Sequence, residues 1–176
     1  EKGTKPNLWI FMKPGKPADS SKRLKLTDVE DTRFLHCNIK TLNLLVNVMA
    51  AEKAESMGCG ECVFHRGDVV TECAHSNVSI IKDGIFKTHP TDHYILPGIT
   101  RMHIIQICKD NGIPVDETPF TMADLMDADE IIVSSSTKFC SPACEMNGTP
   151  IGGKAPELVK LIQEKYMEKF ENETAN

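Results

Sequence analysis

Three short segments carry side chains whose chemistry could act together. Asn38-Ile39-Lys40 places one lysine between an apolar segment and a long helical pattern. Thr71-Glu72 places a carboxylate where one β-rich segment ends and the next begins. The third segment runs from Leu96 to Arg101 and opens a helix, because Pro97 and Gly98 interrupt the preceding strand pattern and an apolar-periodic run follows.

These segments supply an amine, a carboxylate and a helix N-terminus. The N-terminus of a helix carries unpaired backbone N–H groups and the positive end of its dipole, so it suits a phosphate. Pyridoxal 5'-phosphate needs one group of each kind, and the combination therefore predicts this cofactor. Each segment alone is weak evidence, since a lysine after a strand is usually a solvated strand end and short motifs often match by chance.

In order and spacing the segments resemble the fold-type IV pyridoxal-phosphate enzymes, and among them the D-amino acid aminotransferases. The similarity extends from about Asp28 to about Gly153 and so covers most of the chain. The matching strings are Glu30-Asp31-Thr32-Arg33, Ile39-Lys40-Thr41-Leu42-Asn43-Leu44-Leu45, Val70-Thr71-Glu72, Ser76-Asn77-Val78, Lys82-Asp83-Gly84, Leu96 to Arg101, Pro119-Phe120-Thr121 and Val133-Ser134-Ser135-Ser136-Thr137.

The resemblance implies roles for the lysine and the carboxylate. Lys40 matches the lysine that carries the cofactor, and we expect it to be partly buried beside a cationic ring, which lowers the pKa of an amine and makes it a better base. Glu72 matches the acidic residue that faces the pyridine nitrogen. A carboxylate there keeps this nitrogen protonated, so that the ring can accept electrons.

The resemblance also implies a phosphate cradle. Ile99 and Thr100 would donate backbone N–H groups, and Thr100 also its hydroxyl group. Ser136 matches a hydroxyl donor to the same phosphate, with Ser135 adjacent to it. Leu96 would pack on the face of the ring. No metal ion is expected in the site.

Two further residues are candidates for contact with substrate or cofactor. Arg33 matches an arginine seven residues before the lysine, without a firm role. His75 departs from the family pattern: many relatives carry glycine and serine after the acidic residue, whereas this chain has Cys73, Ala74 and His75. An ordinary, partly exposed histidine is an equally good interpretation of His75.

The pattern of strands and helices predicts an α+β fold, and the resemblance implies a strand-rich pseudo-barrel flanked by helices. This is the large C-terminal domain of the family. Predicted strands cover 8–12, 34–39, 61–65, 69–73, 77–81, 85–88, 115–118, 130–135 and 140–146; predicted helices cover 41–57, 99–111, a segment starting at Thr121, and 156–170.

We expect residues 1–27 to form a strand and an interdomain connection, with 13–25 as the linker, and residues 28–176 to form the cofactor-binding domain. The chain begins without methionine on a polar stretch and is expected to be part of a longer protein. The family's smaller N-terminal domain supplies an arginine to the phosphate, a tyrosine near the ring and much of the pocket for the substrate carboxylate. We expect this chain to lack these groups and to be inactive alone.

Composition limits the other classes of function. A net charge of −5 argues against nucleic acid, and the longest apolar runs are too short for a membrane span. The seven cysteines include Cys59-Gly60-Glu61-Cys62, which with His65, Cys73 and His75 could be drawn as a zinc site. A second ligand pair with zinc spacing is missing, so free thiols in a reducing cytoplasm are the better interpretation.

The resemblance implies amino acid and 2-oxo acid substrates, such as D-alanine and 2-oxoglutarate, and a homodimer. Branched-chain aminotransferases usually place a tyrosine five residues after the lysine, where this chain has Leu45. Aminodeoxychorismate lyases can carry a similar Thr-Glu-Cys string and fit the segments around Lys40 and Ser136 less well. A non-catalytic relative also stays open.

Overall fold

The computed structural model describes residues 3–5, 7–13, 19 and 21–174. In this part of the chain a mixed sheet is packed against four helices. The strands are β1 Leu24–Glu30, β2 Glu61–Arg66, β3 Val69–Cys73, β4 Asn77–Lys82, β5 Ile85–Thr88, β6 Val115–Asp116, β7 Glu130–Ser135, β8 Phe139–Met146 and β9 Thr149–Pro150; the helices are α1 Leu45–Ser56, α2 Ile99–Asp110, α3 Met122–Asp127 and α4 Pro156–Thr174.

The sheet is curled into a half-barrel. Its strand order is β3-β2-β1-β8-β7-β4-β5-β6, and β9 pairs with β8. Although β3 lies at the edge of this order and β4 far inside it, a tight turn joins them, and the backbone N–H of Cys73 donates to the carbonyl of Ser76 at 2.7 Å. The edge therefore curves back toward β4, which gives the predicted pseudo-barrel flanked by helices.

Local sequence signals fix several connections. Asp83 and Gly84 both have positive φ, as the two-residue turn between β4 and β5 requires, and Asn147-Gly148 does the same between β8 and β9. Thr121 caps α3 as predicted: its hydroxyl accepts from the backbone N–H of Asp124, whose carboxylate accepts from the N–H of Thr121.

Successive side chains along each strand point to opposite faces of the sheet, so apolar side chains form a core layer on each face. In β2, Val63 faces the interior of the half-barrel, while Cys62 and Phe64 pack against α1. A third cluster lies between the outer face of the sheet and helices α2 and α4. Because both faces of the sheet are covered, β2, β4 and β7 are almost continuously buried.

Two predicted strands are wrong. Residues 8–12 form no strand, and their side chains are exposed, Trp9 by 76%. Residues 34–39 form turns, because Asp31 Oδ1 accepts from the backbone N–H of Arg33 and turns the chain away after β1. Lys40 therefore lies in a loop and does not follow a strand.

The first helix starts later than predicted and packs on another face. Thr41 Oγ1 accepts from the N–H of Asn43, which holds the segment before Leu45 in a turn. The apolar residues Leu42, Leu45, Val46, Met49 and Ala50 have helical spacing and predict the buried face of this helix, yet Leu42, Leu45 and Met49 are exposed, Leu42 by 96%. Val46 and Ala50 do contact the sheet as predicted, and Ala51 and Ala54 make the rest of the contact.

Strand β1 was missed, since the predicted linker extended to Lys25 and nothing was assigned between 26 and 30. This strand is central, pairing in parallel with both β2 and β8. Smaller differences are that β6 ends at Asp116 and α4 continues to Thr174. Within the described residues, none of the helices has the length and hydropathy needed to cross a bilayer.

Candidate active site

One cavity of about 600 Å³ brings the predicted site residues together. It opens where the loop after β1, the turn after β3, the start of α2 and the end of β7 meet. Its walls include all nine candidates: Arg33, Lys40, Glu72, His75, Leu96, Ile99, Thr100, Ser135 and Ser136. Proximity is what the structure adds here, and the role of each residue stays a prediction.

Glu72 is the most constrained of these side chains. It is 6% exposed and accepts three hydrogen bonds. Arg33 Nη1 donates to Oε1 at 2.5 Å, while Asn77 Nδ2 and the backbone N–H of Leu96 donate to Oε2 at 3.0 Å and 2.9 Å. Burial raises the pKa of the Glu72 carboxyl group to about 7, and the Arg33 guanidinium and the Leu96 N–H oppose that rise.

Helix α2 presents uncapped backbone donors to the cavity. Gly98 is its N-cap residue and offers no side-chain acceptor, so the N–H groups of Ile99 and Thr100 are not satisfied by a cap. A Cβ atom on Gly98 would lie 2.1 Å from Asn77 Oδ1. Glycine therefore lets the start of the helix approach Asn77, whose amide group also donates to the Leu96 carbonyl at 2.9 Å.

The end of β7 adds three hydroxyl groups. Ser134 is 2% exposed and lines the cavity, and its Oγ has no hydrogen-bond partner within the part of the chain that the structure describes. Ser135 is half-buried and accepts from the backbone N–H of Lys138 at 3.1 Å, while Ser136 is exposed. Sequence reasoning proposed Ser135 and Ser136 and missed Ser134, since no local signal distinguishes a buried orphan hydroxyl from its neighbours.

Lys40 lines the same cavity but is exposed, contrary to the expectation of partial burial. Its amine makes no hydrogen bond or ion pair with any residue in the described ranges. A long, unpaired lysine at the rim of a cavity can reach inward. Desolvation of this amine would need a further wall that the described residues do not form.

His75, Leu96 and Arg33 differ in how they meet the cavity. His75 has a side chain that is 59% exposed, with Nδ1 3.9 Å from the buried carboxylate of Glu61. Leu96 is half-buried at the wall, as a residue packing on a ring would be. Arg33 lies behind Glu72, and its donors are directed to Asp31, Glu72 and the Tyr94 carbonyl rather than into open space.

Comparison with known proteins agrees with this arrangement. A family model described as amino-transferase class IV matches residues 1–146. The chain is 49% identical over 136 residues to D-alanine aminotransferase from Listeria monocytogenes, which covers 76% of the chain and 47% of the relative. It is 44% identical over 170 residues to D-alanine aminotransferase from Staphylococcus haemolyticus, covering 93% and 60%.

Among solved structures, the branched-chain amino acid aminotransferase from Escherichia coli superimposes with a TM-score of 0.75 at 26% identity, covering 82% of this chain and 52% of that one. The chain thus spans about half the length of the proteins it matches. The sequence matches, the curled mixed sheet and the four helices all agree with the expected fold-type IV architecture. The chain therefore belongs to the class IV aminotransferases.

Proposed function

We propose that this chain is the cofactor-binding domain of a pyridoxal-phosphate-dependent aminotransferase that moves amino groups between D-amino acids and 2-oxo acids. The main support for the proposal is that three groups line the same cavity: the unpaired amine of Lys40, the hydrogen-bonded carboxylate of Glu72 and the uncapped N-terminus of α2. The choice of D-amino acids, with D-alanine and 2-oxoglutarate as the expected pair, is supported by the relatives that are named D-alanine aminotransferases.

The residues of the cavity fit pyridoxal 5'-phosphate. The buried Ser134 hydroxyl lacks a partner, and a buried polar group in this state is compensated when a ligand bonds to it. The uncapped N–H groups of Ile99 and Thr100 lie on the same cavity and suit a phosphate. Lys40 supplies the amine for attachment, and Leu96 supplies an apolar wall.

When bound, pyridoxal phosphate supplies an electron-accepting ring and a carbonyl carbon that takes up and returns an amino group. The chain's own residues would do the rest. The Ile99 and Thr100 N–H groups, with the hydroxyl groups of Ser135 and Ser136, hold the phosphate. Glu72 holds a proton at the ring nitrogen, and Lys40, when deprotonated, takes a proton from the substrate Cα and returns it.

A complete site needs walls from outside this chain. Lys40 and Ser136 are exposed here, whereas efficient proton transfer needs a substrate fixed next to a desolvated amine. Because the chain spans about half of its relatives, we propose that a smaller N-terminal domain supplies an arginine for the phosphate, a tyrosine near the ring and the pocket for the substrate carboxylate. The chain alone is then expected to bind the cofactor weakly and not to turn over.

The boundary was expected near residue 27, but β1 begins at Leu24 and pairs with both β2 and β8. We therefore propose that the boundary lies before Leu24, so that all of β1 belongs to the cofactor-binding domain. We further propose a homodimer, since large apolar side chains such as Leu42, Leu45 and Met49 stay exposed beside the site and would favour association.

A cytoplasmic location is proposed from the seven cysteines, none of which is paired in a disulfide within the described residues.

The test is an amino-transfer assay on the longer protein that contains this chain, with D-alanine and 2-oxoglutarate as substrates. L-Leucine and aminodeoxychorismate serve as competing substrates. Formation of pyruvate and glutamate from D-alanine and 2-oxoglutarate supports the proposal. Preference for L-leucine would indicate a branched-chain aminotransferase, release of pyruvate from aminodeoxychorismate would indicate a lyase, and turnover of none of them would indicate a non-catalytic relative.

A second assay compares the 176-residue chain with the longer protein, using saturating pyridoxal phosphate. Misplacing a substrate by about 1 Å costs on the order of a hundredfold in rate. The isolated chain is therefore expected to lose at least this factor. Equal turnover by the two proteins would show that the site is complete without the additional domain.

A further inference from the structure

We propose that Arg33 is a positioning residue that holds Glu72 as an oriented carboxylate, and that Asp31 fixes Arg33 in place for this task. The inference rests on the proposed function, because it assigns Arg33 to the carboxylate that would face the cofactor's ring nitrogen. It replaces the open possibility that Arg33 contacts substrate.

The guanidinium of Arg33 is held between the carboxylates of Asp31 and Glu72. Its Nε and Nη2 donate to the two oxygens of Asp31 at 2.9 Å each, and its Nη1 donates to Glu72 at 2.5 Å. Nη2 also donates to the Tyr94 carbonyl at 3.1 Å, and the charged group lies 4.4 Å from the centre of the Phe64 ring. The planar guanidinium group is thus fixed in one orientation, with its Nη1 directed at Glu72.

Asp31 is itself anchored from the other side. Arg66 Nε donates to Asp31 Oδ2 at 3.2 Å, and the Thr71 hydroxyl donates to the same atom at 3.1 Å. Arg66 also donates to the backbone carbonyl of Arg33 at 2.8 Å. The side chain of Asp31 is fully buried, and the Arg33 and Arg66 guanidinium groups keep the pKa of its carboxyl group below the ordinary value, so it stays charged and keeps Arg33 in position.

Glu72 depends on Arg33 because no other cation among the described residues contacts it. Its other partners, the Asn77 amide and the Leu96 N–H, are neutral, and the nearby Asp31 carboxylate disfavours a second negative charge. Burial raises the pKa of Glu72, and Arg33 opposes that rise. An opposite charge in direct contact typically lowers a carboxyl pKa by about 1–3 units, so loss of Arg33 should raise the Glu72 midpoint by that amount.

The experiment measures the protonation of Glu72 in the unliganded chain by infrared spectroscopy of the carboxylic acid C=O stretch, titrated over pH. Loss of the band in Glu72→Gln assigns the signal. We expect Arg33→Met to move the midpoint of this band up by about 1–3 pH units. Arg33→Lys keeps a positive charge but lacks the planar guanidinium, so its midpoint is expected to lie between those of the unmodified chain and Arg33→Met.

Arg23→Met is the matched control, because it removes a guanidinium from the buried carboxylate of Glu130 and leaves the contacts of Asp31, Arg33 and Glu72 intact. Its midpoint is expected to stay near that of the unmodified chain. If Arg33→Met does not fold, Arg33→Gln, which also removes the charge but keeps a polar side chain, takes its place with the same expected shift. The double variant Arg33→Met/Glu72→Gln, which leaves no unpaired charge at Glu72, shows whether the fold tolerates an apolar residue at Arg33.

A midpoint that stays within about half a pH unit of the unmodified chain's in folded Arg33→Met or Arg33→Gln would overturn the proposal, since the expected change is at least one unit. A shift of equal size in Arg23→Met would also overturn it, because the effect would then come from general loosening of the fold. The measurement needs neither cofactor nor turnover. A failed amino-transfer assay would therefore refute the proposed function and leave this result unaffected, and the reverse also holds.

Discussion

The contact between Gly98 and Asn77 allows a sharp test of how the candidate site is built. Gly98→Ala places a methyl group 2.1 Å from Asn77 Oδ1, whereas ordinary contact begins at 3.4 Å. The Asn77 side chain cannot move away freely, because its amide donates to Glu72 Oε2 at 3.0 Å and to the Leu96 carbonyl at 2.9 Å. The substitution therefore strains three parts of the site at once.

The expected loss of stability follows from these distances. Relief of the clash needs a movement of about 1.3 Å, enough to break hydrogen bonds of 2.9–3.0 Å. Overpacking costs about 1–3 kcal/mol, and each buried hydrogen bond contributes about 1 kcal/mol. The two costs do not add in full, because movement of Asn77 relieves the clash while it weakens the hydrogen bonds. We therefore expect Gly98→Ala to lower the free energy of unfolding by about 2–4 kcal/mol.

Urea denaturation of four proteins measures this effect: the unmodified chain, Gly98→Ala, Asn77→Ala and the double variant. Asn77→Ala removes the atom that the new methyl group would meet. In that background Gly98→Ala is expected to cost less than about 1 kcal/mol, so the coupling energy between the two sites should be about 1–3 kcal/mol.

Additive effects of the two substitutions would refute the reasoning. They would mean that the cost at Gly98 arises from the backbone of the helix N-terminus and not from its approach to Asn77. An unchanged free energy of unfolding in Gly98→Ala would refute the close approach itself.

Three further predictions concern single side chains. The pKa of Glu72 is about 7 in the folded chain and 4.5 ordinarily, so between these pH values the folded chain holds a proton that the unfolded chain has lost. The stability that this proton contributes is fully present below pH 4.5 and is lost as the pH rises through 7. In urea unfolding, the free energy of unfolding of the unmodified chain relative to Glu72→Gln should therefore fall by up to about 3 kcal/mol from pH 4.5 to 8. A difference between the two chains that does not change with pH would contradict the raised pKa of Glu72. Ser134→Ala should weaken pyridoxal phosphate binding by about 2- to 12-fold, as measured by absorbance titration, because it removes one hydrogen bond to the ligand. The free energy of unfolding should not fall, because the hydroxyl that is removed has no partner within the described residues. Unchanged affinity would exclude Ser134 from the site. Borohydride reduction of the cofactor-loaded protein and peptide mapping should place the pyridoxyl group on Lys40, and its appearance on another lysine would contradict most of the proposed function.

Elements whose signals are local could be predicted from the sequence. The turns at Asp83-Gly84 and Asn147-Gly148 follow from residues that tolerate positive φ, and the start of α3 follows from the capping pair Thr121 and Asp124. The family strings likewise gave the residues that line the cavity. In each case the information lies within a few neighbouring positions.

Strand β1 and helix α1 show where local patterns fail. The residues of β1 alternate in polarity too weakly to stand out, and the strand forms because β2 and β8 pair with it on both sides. In α1 the apolar spacing predicted Ala50 correctly, but it also predicted Leu42 and Met49, which are exposed, and it missed the buried Ala54. Packing partners, which are distant in sequence, decide both outcomes.

The sequence by itself determined the kinds of group in the site: an amine at Lys40, a carboxylate at Glu72 and a helix start at Ile99. Only the tertiary structure decided their environment. It placed Arg33 against Glu72 across 39 positions of chain and left the Ser134 hydroxyl buried without a partner. The physical reason is that charge state, hydrogen-bond satisfaction and burial depend on which groups surround an atom in space, and a curled sheet gathers those groups from segments that no local pattern connects.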